Sequence, residues 1–208
     1  MVMKRGSLCA IGFYALSAVL VSACRGRDND AAVIPHDVIA ELIAMGAADQ
    51  AIRQSFTPES FADTALLRGM TREDSVRTER LKAMIALYGW PDGDRAGREA
   101  SQAAFLILQH SPSQTFQVEM LPVIEGLAGT GQVPGQDLAL LTDRVLKQQG
   151  SPQRYGTQFD FVGDTLVLYE VEDKAALEER RERMGLPPMS VYVEVMSDLY
   201  HAPVVLSR

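Results

Sequence analysis

The chain has 208 residues, 47% hydrophobic and 23% charged, with a formal net charge of −7 from 20 Lys plus Arg against 27 Asp plus Glu. That balance excludes a disordered chain and an integral membrane bundle. A pI near 5.0 argues against a nucleic-acid partner, which needs a basic face. Two cysteines exclude a disulfide-dense scaffold and a four-Cys zinc site.

The chain opens with a short positive start, Lys4-Arg5, and an apolar run from Leu8 to Val21. That run is shorter than the roughly 20 residues of a transmembrane helix and has the dimensions of a signal-peptide core. Val21-Ser22-Ala23-Cys24 follows and resembles the bacterial lipobox, in which the Cys thiol is acylated and becomes the new N-terminus. The reading is therefore a lipoprotein signal peptide over 1–23, then a lipidated Cys24 and a polar tether over 24–34. Loss of 1–23 takes Lys4 and Arg5 with it, leaving 18 basic against 27 acidic residues and a charge of −9. Arg25 after the cysteine, where an Asp would favour inner-membrane retention, points to the outer membrane, facing the periplasm. Inner-membrane retention or plain secretion are the alternatives. The lipid is the expected membrane contact.

Residues 35–208 form one expected domain. Pro35 suits a helix start, and Val38, Ile39, Leu42, Ile43 and Met45 predict a helix to Gln54, weakened in its middle by Gly46. Thr71-Arg72-Glu73-Asp74 resembles a capping box, opening a helix with Val76, Leu81, Met84, Ile85 and Tyr88 on one stripe and stopping at Gly89. Trp90-Pro91-Asp92-Gly93 is a turn, with Trp90 packed over the core or lining a cleft. An Ala-rich helix over about 96–109 should be central. Phe116 to Leu127 is a helix with Pro122 as a late start or kink, and Pro134 to Gln149 is another. Phe159 to Val171 has two β-rich runs around Gly163-Asp164, a two-residue hairpin. Asp173 to Met184 is a charged helix closed by Gly185-Leu186-Pro187-Pro188, and Ser190 to Leu199 is a last helix or strand. The fold class is mostly α with a small β-hairpin (α+β).

No strong catalytic motif occurs. No cofactor is expected, and His36, His110 and His201 are too scattered to predict a metal site. His36 should face solvent, and His201 lies near the chain end, where packing is commonly poor. His110, at the end of an apolar helix, is either a C-terminal cap favoured by the helix dipole or an acid/base group at the lip of a pocket. Gln153-Arg154-Tyr155-Gly156-Thr157-Gln158 is either a structured linker satisfying backbone groups or the polar wall of a site. Asp143-Arg144 suggests a buried ion pair.

Gly89-Trp90-Pro91, Gln109-His110, Phe116-Gln117, Leu121-Pro122, Leu138-Ala139, Asp143-Arg144, Gln153-x-Tyr155-Gly156-Thr157-Gln158 and Gly185-Leu186-Pro187-Pro188 stand here in one order. In that order and spacing the chain resembles an uncharacterised bacterial domain family (domain of unknown function 6624) over about 89–188. The resemblance implies a fold and a set of positions but no reaction. It groups His110 with the 155–158 loop in one site. Ser111-Pro112 departs from the small and acidic residues that members carry after the histidine, which counts against a carboxylate beside His110.

The expectation is a lipid-anchored envelope domain binding a small polar ligand or peptide near His110 and the 153–158 loop, with Trp90, Gln109, Asp143, Arg144, Gln153, Thr157 and Gln158 as binding residues. If it is an enzyme, a metal-independent hydrolase for instance, His110 is the acid/base and Tyr155 the donor. The rival is an interaction module without catalysis, an envelope assembly factor or an inhibitor, whose acidity suits a basic protein partner.

Overall fold

A computed structural model describes residues 32–55, 57, 60 and 63–206 of the chain. The expected signal segment, Cys24 and most of the tether lie outside these residues. The elements in order are α1 (His36–Gln54), α2 (Thr64–Tyr88), α3 (Gly93–Ala96), α4 (Arg98–His110), α5 (Gln114–Gly129) and α6 (Gly135–Gln148). There follow β1 (Phe159–Val162), β2 (Thr165–Leu168), a 3-10 turn (Lys174–Ala176), α7 (Leu177–Arg183), α8 (Met189–Tyr200) and β3 (Val204–Val205). The mostly helical fold with a small sheet matches the sequence expectation.

Local chemistry explains the boundaries, including those that differ from expectation. α2 starts at Thr64 rather than Thr71, because the Asp63 carboxylate accepts the Ala65 and Leu66 N–H groups at 2.9 and 3.0 Å and caps the helix about two turns earlier. Thr71 lies inside the helix and donates its hydroxyl to the Leu67 carbonyl. The helix expected over about 96–109 is α4, and a short helix, α3, precedes it where a turn was expected. Asp92 caps α3 by accepting from Asp94 and Arg95, and Gly97, at φ +83°, ends α3 and opens α4. Pro122 sits inside α5 without ending it. Its ring is exposed beside Val118 and Val123, so the carbonyl it leaves unpaired on that face can be hydrated. Ile34, expected to lie before the domain, is buried in the core, and Arg95 donates to the Ala32 carbonyl.

α4 is the central helix, with Ala100, Ala103, Ala104, Phe105, Ile107 and Leu108 all buried. α1, α2, α3, α5 and α6 pack around it. β1 and β2 pair antiparallel from Phe159↔Leu168 to Val162↔Thr165, and Gly163, at φ +65°, makes the turn. The last strand was not expected. β3 pairs parallel to β2 (Leu166↔Val204), and the Leu166 N–H donates to the Pro203 carbonyl at 2.8 Å. α8 is a helix. Its Tyr192 and Met189 join Leu168, Val171 and Leu177 in a second, smaller core under the sheet. Among the described residues no helix is long and apolar enough to cross a membrane.

Asp137, in the first turn of α6, is 7% exposed. A carboxylate three residues into a helix commonly reaches back to the N-cap N–H, but the N-cap here is Pro134, which has none. Burial pushes the Asp137 pKa up to about 7. The native state therefore holds a proton that the unfolded chain releases near pH 4, and stability falls as pH rises between those two values. Asp137→Asn, a permanent copy of the neutral form, should raise the unfolding free energy by roughly 2–4 kcal/mol at pH 8 and by far less at pH 4. Urea titrations at both pH values test this, and equal effects at the two would refute it.

Candidate functional site

α1, α2 and α4 bring five charged or titratable groups together. Asp49 and Arg53 stand one turn apart on α1, Asp74 and Arg77 on α2, and His110 ends α4. His110 Nδ1 lies 2.9 Å from the Asp49 carboxylate. Arg53 donates to Asp49 at 2.7 Å and to Asp74 at 2.9 Å, and Arg77 donates to Asp74 at 2.9 Å. Gln50 adds a further bond to Asp49 at 2.8 Å. Asp49 is 1% exposed. Burial works against its charge, but the His110 hydrogen bond, with His110 and Arg53 as neighbouring charges, outweighs burial and holds the carboxyl below its ordinary pKa.

His110 is therefore not a helix cap. The carbonyls at the end of α4 are satisfied by Gln117, whose amide nitrogen reaches the Leu108, Gln109 and Ser111 oxygens at 3.0–3.2 Å. Gln148 in turn donates to the Gln117 oxygen at 2.6 Å. The carboxylate beside His110 exists, but it comes from α1 and not from the residues that follow the histidine. With Asp49 on Nδ1, Nε2 is the ring nitrogen left for a ligand.

His110 lines a cavity of about 360 Å³ with Arg53, Met70, Leu106, Arg144 and Tyr200 among its walls. Arg144 comes from α6 and has no hydrogen bond or ion pair among the described residues, and its Nε is buried without an acceptor. Asp143 does not pair with it. The two neighbours point to different places, as successive residues on a helix must.

Asp143 is fully buried and organises the 153–158 loop. Its carboxylate accepts the N–H groups of Arg154, Tyr155 and Thr157 at 2.8–3.2 Å and the Thr157 hydroxyl at 2.9 Å. Burial pushes its pKa up, and these four donors pull it part of the way back. Gln153, also fully buried, donates to the Gln158 and Tyr169 carbonyls and accepts the Gln158 N–H. Arg181, 0% exposed, closes the other side, donating to the Tyr155, Gly156 and Pro187 carbonyls, with its guanidinium 4.8 Å from the Tyr192 ring centre. The loop is a hydrogen-bonded joint between α6, the hairpin and α7. Its residues do not line the His110 cavity, which corrects the expectation that the two belong to one pocket.

Of the residues singled out by sequence, His110 and Arg144 meet at one cavity, while Asp143, Gln153, Thr157 and Gln158 build the joint. Tyr155 is half-buried in that joint, and burial raises its phenol pKa. Gln109 is buried, within 3.5 Å of the Leu140 carbonyl. Trp90 is 5% exposed and belongs to the core, so it lines no cleft. His36 is exposed, and no group of three or more His, Cys, Asp or Glu that could hold a metal occurs among the described residues. Asp49, Arg53, Asp74 and Arg77 escaped sequence reasoning. A signal existed: Leu42, Gly46, Asp49 and Arg53 are spaced four, three and four apart, so the acid lies in phase with the apolar stripe.

No curated protein and no solved structure matches the chain. The model of a family of unknown function, DUF6624, matches residues 36–205. That span is wider than the 89–188 of the sequence resemblance, and it takes in α1 and α2, which supply Asp49, Arg53, Asp74 and Arg77. With most of its length covered, including every residue of the charged cluster and the joint, the chain belongs to the family of unknown function DUF6624.

Proposed function

We propose that the protein is a lipid-anchored protein of the bacterial cell envelope, facing the periplasm from the outer membrane, whose domain binds a small polar ligand at the His110–Arg144 cavity. The observation that carries the binding reading is the convergence of two sequence-distant polar side chains on one cavity, one oriented by a buried carboxylate and one without a partner among the described residues. Cavities of this kind, a few hundred cubic ångströms with a small number of placed polar groups, are the usual form of small-molecule sites.

The binding reading is tested by NMR titration of the full-length chain with a library of small polar compounds. Perturbed amides should cluster at the C-terminal ends of α1 and α4 and around Arg144, and His110→Gln should weaken binding at least several-fold with the fold intact. Ligands that map elsewhere, or bind His110→Gln unchanged, overturn it. The anchor rests on the order of charge, apolar run, small residues and Cys24. Metabolic labelling with a fatty-acid analogue should tag the wild type and not Cys24→Ser, and equal labelling of both would remove the anchor.

The Asp49–His110 pair favours one further reading, a hydrolytic enzyme. A histidine whose Nδ1 is held by a carboxylate can take a proton from water at Nε2 as the water oxygen attacks the carbonyl carbon of a bound ester or amide; the C–O or C–N bond then breaks, and the Nε2 proton passes to the leaving alkoxide or amine, which gives a carboxylic acid and an alcohol or amine. The described lining residues include Thr57 but no serine or cysteine, and the nucleophile in this reading is water. Turnover of a bound ligand that His110→Gln abolishes while binding persists would support it. Binding without turnover would leave the receptor reading alone.

A further inference from the structure

The charge at the cavity is opposite in sign to that of the chain. Among the described lining residues none is acidic, whereas Arg53, His110 and Arg144 are all present, in a sequence with 27 acidic residues. The two nearby carboxylates are already committed. Asp49 accepts from Gln50, Arg53 and His110, and Asp74 from Arg53 and Arg77. Three guanidiniums, those of Arg53, Arg77 and Arg144, thus face two carboxylates, and one positive charge is left over even with His110 neutral.

That surplus belongs to Arg144. Arg53 and Arg77 are held by carboxylates at 2.7–2.9 Å, while Arg144 has no acceptor among the described residues for any of its five donors. Burial is the main influence lowering its pKa. Tyr200 opposes this and the like charge of Arg53 adds to it, so the two arginines repel across the cavity they share. Arg144 is half-buried, and its Nε is shut away from solvent with no acceptor, which is a destabilising feature. The same cavity has apolar walls at Met70, Leu106 and Leu199.

We propose that the ligand of this cavity is a small organic anion, its carboxylate or phosphate oxygens received by Arg144 with His110 Nε2 as second contact, and its apolar body lying against Met70, Leu106 and Leu199. This rests on the reading of the cavity as a ligand site. An oxyanion supplies the paired acceptors that a guanidinium fork takes. It also screens Arg53 from Arg144 and neutralises the leftover charge, while inorganic anions alone leave the apolar walls unused.

Benzoate and phenyl phosphate, compared with the neutral isostere benzamide, test the inference on the full-length chain by calorimetry and amide shift mapping. Both anions should bind at the cavity roughly ten- to a hundredfold more tightly than benzamide, the range expected for a charge-assisted contact. Preference between the two anions tells carboxylate from phosphate. Arg144→Met should reduce the anions to the benzamide level. Without ligand, it should raise the thermal midpoint modestly, because it removes a half-buried cation whose Nε has no acceptor. A purely structural arginine would lower the midpoint and leave the anion preference intact, which would overturn the proposal. Equal binding of benzoate and benzamide at the cavity would overturn the anion inference and leave the ligand site standing. Binding of all probes elsewhere, or none up to their solubility limits, would overturn both. The wild-type comparison does not depend on how any variant folds.

Discussion

Asp143→Ala is expected to lower the unfolding free energy by about 3–5 kcal/mol, the largest single-residue effect in the domain outside the apolar core. The carboxylate collects three backbone N–H groups and one hydroxyl from a single short loop. Truncation leaves all four donors facing a void where Asp143 was 0% exposed. Each unsatisfied buried donor costs roughly 1–3 kcal/mol, so the total is limited only by the loop opening to admit water. That opening has its own cost, since Gln153 and Arg181 hold the same loop from the other side. Asp143→Asn should lose most of the same energy, because its amide turns an N–H towards groups that are themselves donors. Thermal midpoints should fall by roughly 10 °C for Ala. A loss under about 1 kcal/mol in both variants would mean that the loop folds without its carboxylate. His110 and Arg144 offer an internal control. If joint and cavity are separate, anion binding survives in Asp143→Ala at temperatures where the variant is folded.

The positions of most elements were legible because their signals are local. Apolar periodicity marks α1, α4 and α6, Gly163-Asp164 marks the hairpin, and Gly185 to Pro188 ends α7. The misplaced start of α2 has a local cause too. The Thr71-Arg72-Glu73-Asp74 pattern drew the expected start to Thr71, whereas Asp63, an equally good cap residue that the sequence reading passed over, is the one used. β3 was invisible because two residues carry no periodicity, and its pairing partner is the distant β2. The same holds for the site. Tyr155, Thr157 and Gln158 lie close together in sequence and look like a binding loop, yet their backbone N–H groups and the Thr157 hydroxyl are consumed by Asp143 and Gln153. The Asp49–His110 contact joins residues 61 positions apart, and no spacing rule reaches that far. What the sequence did carry was an acid on the apolar face of α1. A charge in phase with a core stripe must find a partner when the helices pack, so this is the legible trace of the site.

Gly46→Ala is expected to destabilise by about 1–3 kcal/mol, against the usual gain from removing a helix-interior glycine. The sequence suggests that Gly46 weakens α1, but packing gives it a purpose. A Cβ at Gly46 would lie 2.5 Å from the Ala103 Cβ and 2.9 Å from the Ala103 Cα on α4. The second atom is backbone, so no rotamer change relieves the contact and α1 must move away from α4. Gly69 in α2, where an added Cβ meets nothing within 4 Å, is the control. Gly69→Ala should stabilise by roughly 0.5–1 kcal/mol through helix propensity alone. Ala103→Gly added to Gly46→Ala should recover part of the loss, since it removes the closer of the two contacts and leaves the other. The displacement also reaches the site. Asp49 lies three residues beyond Gly46 on α1, and His110 seven beyond Ala103 on α4, so separating the helices lengthens the 2.9 Å bond between them. Gly46→Ala should therefore weaken organic-anion binding and change the ring-nitrogen NMR signals of His110, while Gly69→Ala leaves both unchanged. If Gly46→Ala matches or exceeds wild-type stability, the close approach of α1 and α4 is not what positions Asp49 against His110.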